Sequence, residues 1–329
     1  MRSDILIVGQ GLAGTLLGWE CERAGISFHI ADCGHATAAS RAAAGMINPV
    51  TGRRLVKGWR VETLLPNARA AYGAIEQALG VPLWREMRVR RSFANARERA
   101  IFADKFSRGE LAPYVTAGDE HGCWIEGAAH VDIGRLLVAS RARWRAAGRL
   151  TEALVERDAA LAAHDLVIDC TGRAAAQADE FDFASWEFSK GELLALAVEG
   201  LDPGVILNRR QWVLPKSAGV AWVGATHEPG ITDPQPTPAA RDSLAEAAAE
   251  ILGPGRPFAI TGQRSGIRVV LPDKCPVAGR HPNNPRLGLI NALGAKGVLW
   301  APWLARQWLN HLKEGVPFDP AIDVRRLVP

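Results

Sequence analysis

The stretch Asp4-Ile-Leu-Ile-Val8-Gly9-Gln-Gly11-Leu12-Ala13-Gly14 decides how this chain folds. After it, Thr15 to Ala24 has helical texture, Gly25 ends the helix, and a second apolar run from Ser27 to Ala31 is closed by Asp32. Strand, glycine turn, helix, strand and acid in this order form the nucleotide-binding βαβ unit. Gly9 permits a tight turn off the strand, Gly11 lets the backbone approach a pyrophosphate, and Gly14 lets the helix pack close to the sheet. The helix start at Leu12 and Ala13 offers unpaired N–H groups and a partial positive charge to a diphosphate. Asp32, 23 residues after Gly9, is placed to accept hydrogen bonds from both ribose hydroxyls. An acid at that position argues against a 2′-phosphate and therefore against NADP.

Composition narrows the classes. With 329 residues, 48% hydrophobic and 22% charged, the chain reads as a soluble globular protein long enough for two domains. The net charge of +4 is small and spread out. The basic stretch from Arg85 to Arg99 is interrupted by acids and apolar residues, so it reads as a solvated face and nucleic acid is not the expected partner. The five cysteines are odd in number and contain no CxxC, which fits reduced thiols in a cytoplasm better than disulfides or zinc. The histidines show no ligand spacing, so no metal is expected. Gly9 and Gly11 break the N-terminal apolar run, which is a strand and not a signal peptide. The run from Gly297 to Leu312 is too short to span a bilayer and carries Arg306, so no membrane association is expected.

Further along, Leu64 to Leu79 reads as a helix with Ala68, Ala71, Ile75 and Leu79 on one stripe, and Val131 to Ala147 as another. Leu166 to Gly172 reads as a third parallel strand. Gln211 to Pro215 and Val220 to Gly224 read as an antiparallel hairpin. Thr237-Pro238 supplies an N-cap and a first-turn proline for a helix to Leu252. Phe258 to Leu271 reads as a long strand, Leu287 to Asn291 as a short one, and Ala295 to Leu312 as the closing helix.

Three segments carry a family resemblance. One is the N-terminal unit. The second is Ser40-Arg41-Ala-Ala-Ala-Gly45-Met46-Ile-Asn48-Pro. The third is Gly266-Ile-Arg268-Val-Val-Leu-Pro272-Asp273, followed by Gly294-Ala295-Lys296-Gly297-Val298. Together they resemble the D-amino acid oxidase/glycine oxidase/sarcosine oxidase family of FAD enzymes. The resemblance implies an α/β fold, with a Rossmann-like FAD-binding domain and an inserted, mainly antiparallel β-sheet substrate domain. Residues 1–60, 130–178 and 263–329 are expected to form the former, and 61–129 and 179–262 the latter.

The resemblance also assigns roles. Ser40 and Arg41 would contact phosphate oxygens, and Gly45 and Met46 would run under the flavin. Thr171 and Gly172 would sit beside the diphosphate or ribityl chain. Gly294 to Val298 would open the last helix toward the flavin pyrimidine ring, where the dipole and Lys296 stabilise negative charge. Arg268 would clamp a substrate carboxylate, since guanidinium geometry suits a two-pronged ion pair. Its rival role is a structural ion pair with an acid such as Asp273. Asn48 and His227 complete the candidate catalytic set, although a hairpin-end histidine also fits a polar surface. The sarcosine oxidase branch carries its covalent-flavin cysteine near the position of Gly266, so non-covalent FAD is expected. The implied activity is oxidation of the C–N bond of a small amino acid or secondary amine by hydride transfer to the flavin, giving an imine, with oxygen or a carrier taking the electrons. Two alternatives stay open: a flavoenzyme that modifies the aminomethyl group of a tRNA wobble uridine, and a non-catalytic flavin-binding protein. The basic segment Arg53, Arg54, Lys57, Trp59 has no assigned role, and Arg53, Arg54, Lys57 and Arg264 are the substitute candidates for the clamp.

Overall fold

The computed structural model describes residues 5–34 and 38–328, so Asp4 lies outside the described residues. Ile5–Val8 is the central strand of a six-stranded sheet, flanked by Phe28–Asp32 and Leu166–Asp169. Both neighbours are parallel to it, with Val8 opposite Ala31 on one side and Asp169 on the other. Gly9, Asp32 and Thr171 therefore emerge at the same carboxyl edge, where doubly wound sheets bind ligands. Ile5, Leu6 and Ile7 are all buried because both faces of this sheet are covered. Helix Leu12–Arg23 packs on the closing helix Gly297–Glu314 over one face.

The second sheet has ten strands and is mainly antiparallel. Its long members are Trp84–Ser92, Gly122–Val131, Glu187–Ala197 and Ala259–Val270. The expected hairpin forms from Trp212–Ser217 and Val220–Gly224. Val205–Asn208 is the exception, running parallel to Trp84–Ser92. Helix Pro238–Leu252, capped by Thr237 Oγ1 on the Ala240 amide, covers one face over Leu194, Val213 and Val223. The opposite face turns toward the parallel sheet. Two main-chain junctions tie the units there: Met46–Ile47 pairs with Ala129 and His130, and the Gly294 amide donates to the Val269 carbonyl at 3.1 Å.

One expectation shifts. A boundary at 263 cuts Ala259–Val270 in two, yet the whole strand pairs with Glu187–Ala197 in the antiparallel sheet. A change of domain after the strand, where the Pro272-Asp273 turn follows, fits the pairing better. The helix expected from Leu64 begins at Val61, and its Tyr72 hydroxyl donates to the Val298 carbonyl at 3.0 Å.

Gly288 shows how tightly the closing helix is seated. A Cβ there would lie 2.4 Å from the ring of Trp308, which is fully buried. We expect Gly288→Val to lower stability by about 1–3 kcal/mol through overpacking. Urea unfolding checks it, and an unchanged midpoint would mean that the indole moves aside freely.

Candidate functional site

The cradle is built from absent side chains. Gly9 has φ +93°, a left-handed value that suits glycine. A Cβ on Gly14 would lie 2.0 Å from the Gly9 carbonyl oxygen, so only glycine lets the helix begin this close to the turn. A Cβ on Gly11 would meet only Ser40 Oγ, at 3.3 Å. Ser40 Oγ accepts from the Leu12 amide at 3.0 Å. The amides of Ala13 and Gly14, in the first turn, have no carbonyl four residues back to bond. Across the edge, Gly172 has φ +60° and open space where a Cβ would stand. Its carbonyl accepts from Asn291 Nδ2 at 2.8 Å. Thr171 donates its hydroxyl to Asp169 Oδ1 at 2.6 Å, so it presents backbone more than hydroxyl to the edge. Arg41 is exposed at the end of the short helix Ala39–Ala42. These residues suit the diphosphate and ribose of a dinucleotide, with room where the phosphates would lie.

Asp32 is buried and fixed in place. Its carboxylate accepts from the Gln10 amide at 2.9 Å, the Gly34 amide at 3.1 Å and Arg141 Nη1 at 2.8 Å. Arg141 also bonds Gln10 Oε1 at 2.8 Å and Glu152 at 2.5 Å. Sequence reasoning missed this arginine. Its position one turn after the buried Leu137, on the helix Ile133–Ala146, was the available signal.

The second group lies on the inner face of the antiparallel sheet. Arg268 stands opposite Ser189, and its guanidinium lies over Gly191, where a Cβ would come within 2.0 Å of Nη2. Nη1 donates at 3.4 Å to the Lys190 carbonyl and at 3.3 Å to that of Thr226. Among the described residues no carboxylate pairs with it. The expected rival partner, Asp273, pairs instead with Arg326 at 3.0 Å. Burial holds the Arg268 pKa below the usual guanidinium value. His227 is exposed, with Nδ1 2.9 Å from Ser189 Oγ. Asn48 closes a local turn by accepting from the Val50 amide at 3.2 Å. Gly45, at φ +72°, lies so close to the Val131 carbonyl that a Cβ would come within 1.9 Å, which lays Met46 along the sheet.

Lys296 precedes the closing helix. It is half-buried, with Nζ 5.7 Å from the centre of the Trp300 ring, and burial lowers its pKa. Ala295 is exposed, while Val298 is buried beneath the first turn. The basic segment divides: Arg53 and Arg54 are exposed at a hairpin tip, Lys57 pairs with Glu62 at 2.8 Å, and Trp59 packs edge-on against Trp300 and Trp303.

Sequence reasoning also missed a cluster beside these residues. His130 is buried, and its Nε2 lies 2.8 Å from Lys216 Nζ. Burial, then the charges of Lys216 and Arg85, push the histidine pKa down to about 3. The ring is thus neutral and accepts from the ammonium. Lys216 lies 4.3 Å and Arg264 5.1 Å from the centre of the Trp222 ring. Among the described residues no cluster of three or more His, Cys, Asp or Glu could hold a metal, and no helix is long and apolar enough to cross a membrane.

A parallel sheet shaped to cradle a dinucleotide, faced by a second sheet bearing cations without acid partners, is the architecture of a cofactor-dependent oxidoreductase. The chain belongs to the DAO family of FAD dependent oxidoreductases, whose model matches residues 4–309. It is 30% identical over 335 residues to the tRNA 5-methylaminomethyl-2-thiouridine biosynthesis bifunctional protein MnmC of Maricaulis maris (strain MCS10), a match that covers 95% of this chain and 52% of that protein. The chain thus spans about half the length of this curated relative. Its fold is similar to that of iminodiacetate oxidase (IdaA) from Chelativorans sp. BNC1, with TM-score 0.77, 20% identity and coverage of 99% and 98%. It is also similar to glycine oxidase from Geobacillus kaustophilus, with TM-score 0.75, 20% identity and coverage of 99% and 97%.

Two outcomes follow from this geometry. We expect Gly11→Val to fold, because a Cβ would meet only Ser40 Oγ at 3.3 Å, but to put a branched side chain in the path of the pyrophosphate. FAD binding should be abolished, whereas Asp32→Ala should weaken it by about 1–3 kcal/mol. Flavin content and titration of the apoprotein check both, and unchanged affinity in folded Gly11→Val would remove the cradle assignment. His130 gives a pH signature. Its folded pKa lies below the ordinary 6.5, so the unfolded chain takes up the proton first. Its contribution is complete above 6.5 and is lost as pH falls toward 3, by up to about 1.4 kcal/mol per pH unit. Urea unfolding at stepped pH should show a shallower acid slope for His130→Gln, and equal slopes would contradict the buried neutral histidine.

Proposed function

We propose that this FAD-dependent oxidoreductase oxidises the C–N bond of a small amino acid or N-substituted amino acid whose carboxylate is held by Arg268. The observation that carries this reading is the guanidinium over Gly191, part-buried and bonded only at 3.3–3.4 Å to two main-chain carbonyls, with no carboxylate paired to it among the described residues. Leaving such a charge without an anion is costly, and a substrate carboxylate satisfies its fork. FAD, when bound, supplies the acceptor for the hydride leaving the carbon next to nitrogen; the substrate becomes an imine that water hydrolyses.

In this reading the amides of Ala13 and Gly14, with Ser40 and Arg41, hold the diphosphate, Leu12 fixes Ser40 beside them through its amide, and Asp32 holds the ribose. Thr171 and Gly172 border it, and Gly45 and Met46 run beneath the ring system. The helix start Gly294 to Val298 and the Lys296 ammonium favour negative charge at the pyrimidine edge. Arg268 orients the substrate, while Asn48 and His227 border the pocket. Because Gly266 stands where a covalent attachment would fall, the cofactor is non-covalent. Electrons pass to oxygen or a carrier. The five cysteines are free thiols, which supports a cytoplasmic setting.

A second reading has specific support. The relative of the tRNA-modifying type is more similar to this chain than the two oxidases compared with it, and Arg53 and Arg54 stand exposed at a hairpin tip. In that reading the amine is borne by a wobble uridine, and Arg268 holds the carboxylate of the carboxymethyl group that leaves when its C–N bond is oxidised and hydrolysed.

An anaerobic screen of amino acids, N-methyl amino acids and carboxymethylaminomethyl uridine for flavin bleaching separates the two readings. Arg268→Leu should lower the rate of flavin reduction at least tenfold with a carboxylate substrate, since removing one partner of a buried charge pair costs about 2–5 kcal/mol. Arg268→Lys keeps the charge but loses the fork, and should fall between. FAD content should stay near that of the unsubstituted protein. Wild-type rates in both variants would make Arg268 structural.

A further inference from the structure

The inner face that bears Arg268 carries a second concentration of positive charge that the reaction as described does not use. Residues 189, 191, 193 and 195 of the strand Glu187–Ala197 alternate onto this face. The Arg268 guanidinium lies over Gly191, and Trp222 stands opposite Ala195. Four residues of strand separate the two, which is about 13 Å. At the far end, Lys216 and Arg264 both lie over the Trp222 ring. Lys216 is held in place by His130, which spends its one acceptor on it and leaves the amine further donors, while burial lowers the Lys216 pKa. Arg85 buttresses the position by donating to the carbonyls of Pro215 and Lys216. Among the described residues neither Lys216 nor Arg264 has a carboxylate within ion-pair distance, although the charge of Asp132 reaches Lys216 at longer range. Between the two charged ends the face is apolar and partly covered: Leu193 lies over Gly224 against Trp212, and Ala39 and Ala42 of the short helix pack over Gly266.

Unpaired cations gathered on one face repel each other unless an anion joins them. We infer that Lys216 and Arg264, flanking Trp222, form a second anion subsite about 13 Å along the sheet from Arg268, so that the substrate is an amino-acid-like amine with a second anionic group, phosphate or carboxylate, at its distal end. The inference rests on the reading of Arg268 as the carboxylate clamp. A free glycine or a short dicarboxylate reaches only one of the two ends.

The test uses the FAD-loaded protein and four probes: N-hexylglycine, N-(6-phosphonohexyl)glycine, N-(6-carboxyhexyl)glycine and the short N-(2-phosphonoethyl)glycine. Flavin reduction is followed anaerobically, and binding of each probe is measured by calorimetry. One long anionic probe, or both, should exceed N-hexylglycine at least tenfold in kcat/KM and in affinity, and the short phosphonate should gain little. A larger gain for phosphonate or for carboxylate identifies the natural end group. In Arg264→Gln and Lys216→Gln the ratio of long anionic to neutral probe should fall toward one, while Arg264→Lys retains most of it. A ratio near one in the unsubstituted protein, or a ratio that persists in both glutamine variants, overturns the subsite. If no probe reduces the flavin yet the calorimetric ratio behaves as stated, the subsite stands and the assigned reaction falls.

Discussion

The missing side chain at position 14 is the constraint on which the nucleotide-binding half of this protein depends. Any Cβ there would collide with the carbonyl of Gly9, five residues earlier. Because the collision is absent, the helix starts directly above the turn, and its free amides point along the carboxyl edge of the sheet. The strand register then delivers Asp32 and Thr171 to the same edge, since Val8 stands opposite Ala31 and Asp169. Arg141 completes the arrangement by bonding both Asp32 and Gln10. An anion-receptive helix end thus sits beside a carboxylate held in one orientation.

The two faces of the antiparallel sheet deal with charge in opposite ways. On the outer face Lys190 and Glu192 are buried but paired at 3.1 Å, and Thr237 and Gln263 donate to the carboxylate as well. That face is closed and neutral. On the inner face Arg268, Arg264 and Lys216 have no such partners among the described residues. Neighbouring strands of one sheet therefore carry one charge cluster paired with a carboxylate and one that is not, and only the second faces the parallel sheet. Arg268 and Lys216 are part-buried whereas Arg264 is exposed, so only the first two carry a desolvation cost with no carboxylate beside them.

Much of this was legible in the chain because the signals were local. Glycine spacing gave the βαβ unit, Thr237-Pro238 gave a helix start, and alternating apolar runs gave the hairpin and the long strand that carries Arg268. The sheet order was not legible, because it depends on pairings between segments far apart, such as Trp84–Ser92 beside Val205–Asn208. The cluster of His130, Lys216, Trp222 and Arg264 was hidden for the same reason: four strands contribute to it, and no spacing in the sequence relates them. The boundary placed at 263 followed the arginine motif, and the strand pairs with Glu187–Ala197 on both sides of it, with a register shift at Ala195 and Leu196.

The two main-chain junctions between the sheets bear on how the protein moves. Met46–Ile47 is stitched to Ala129 and His130, and Gly294 is bonded to the carbonyl beside Arg268. Opening the halves like a jaw would break both seams along with the buried core that runs through them. The spacing between the Arg268 face and the glycine turn of the parallel sheet is therefore set by the main chain itself. A ligand bound between the two sheets would spend little of its binding free energy on bringing them together.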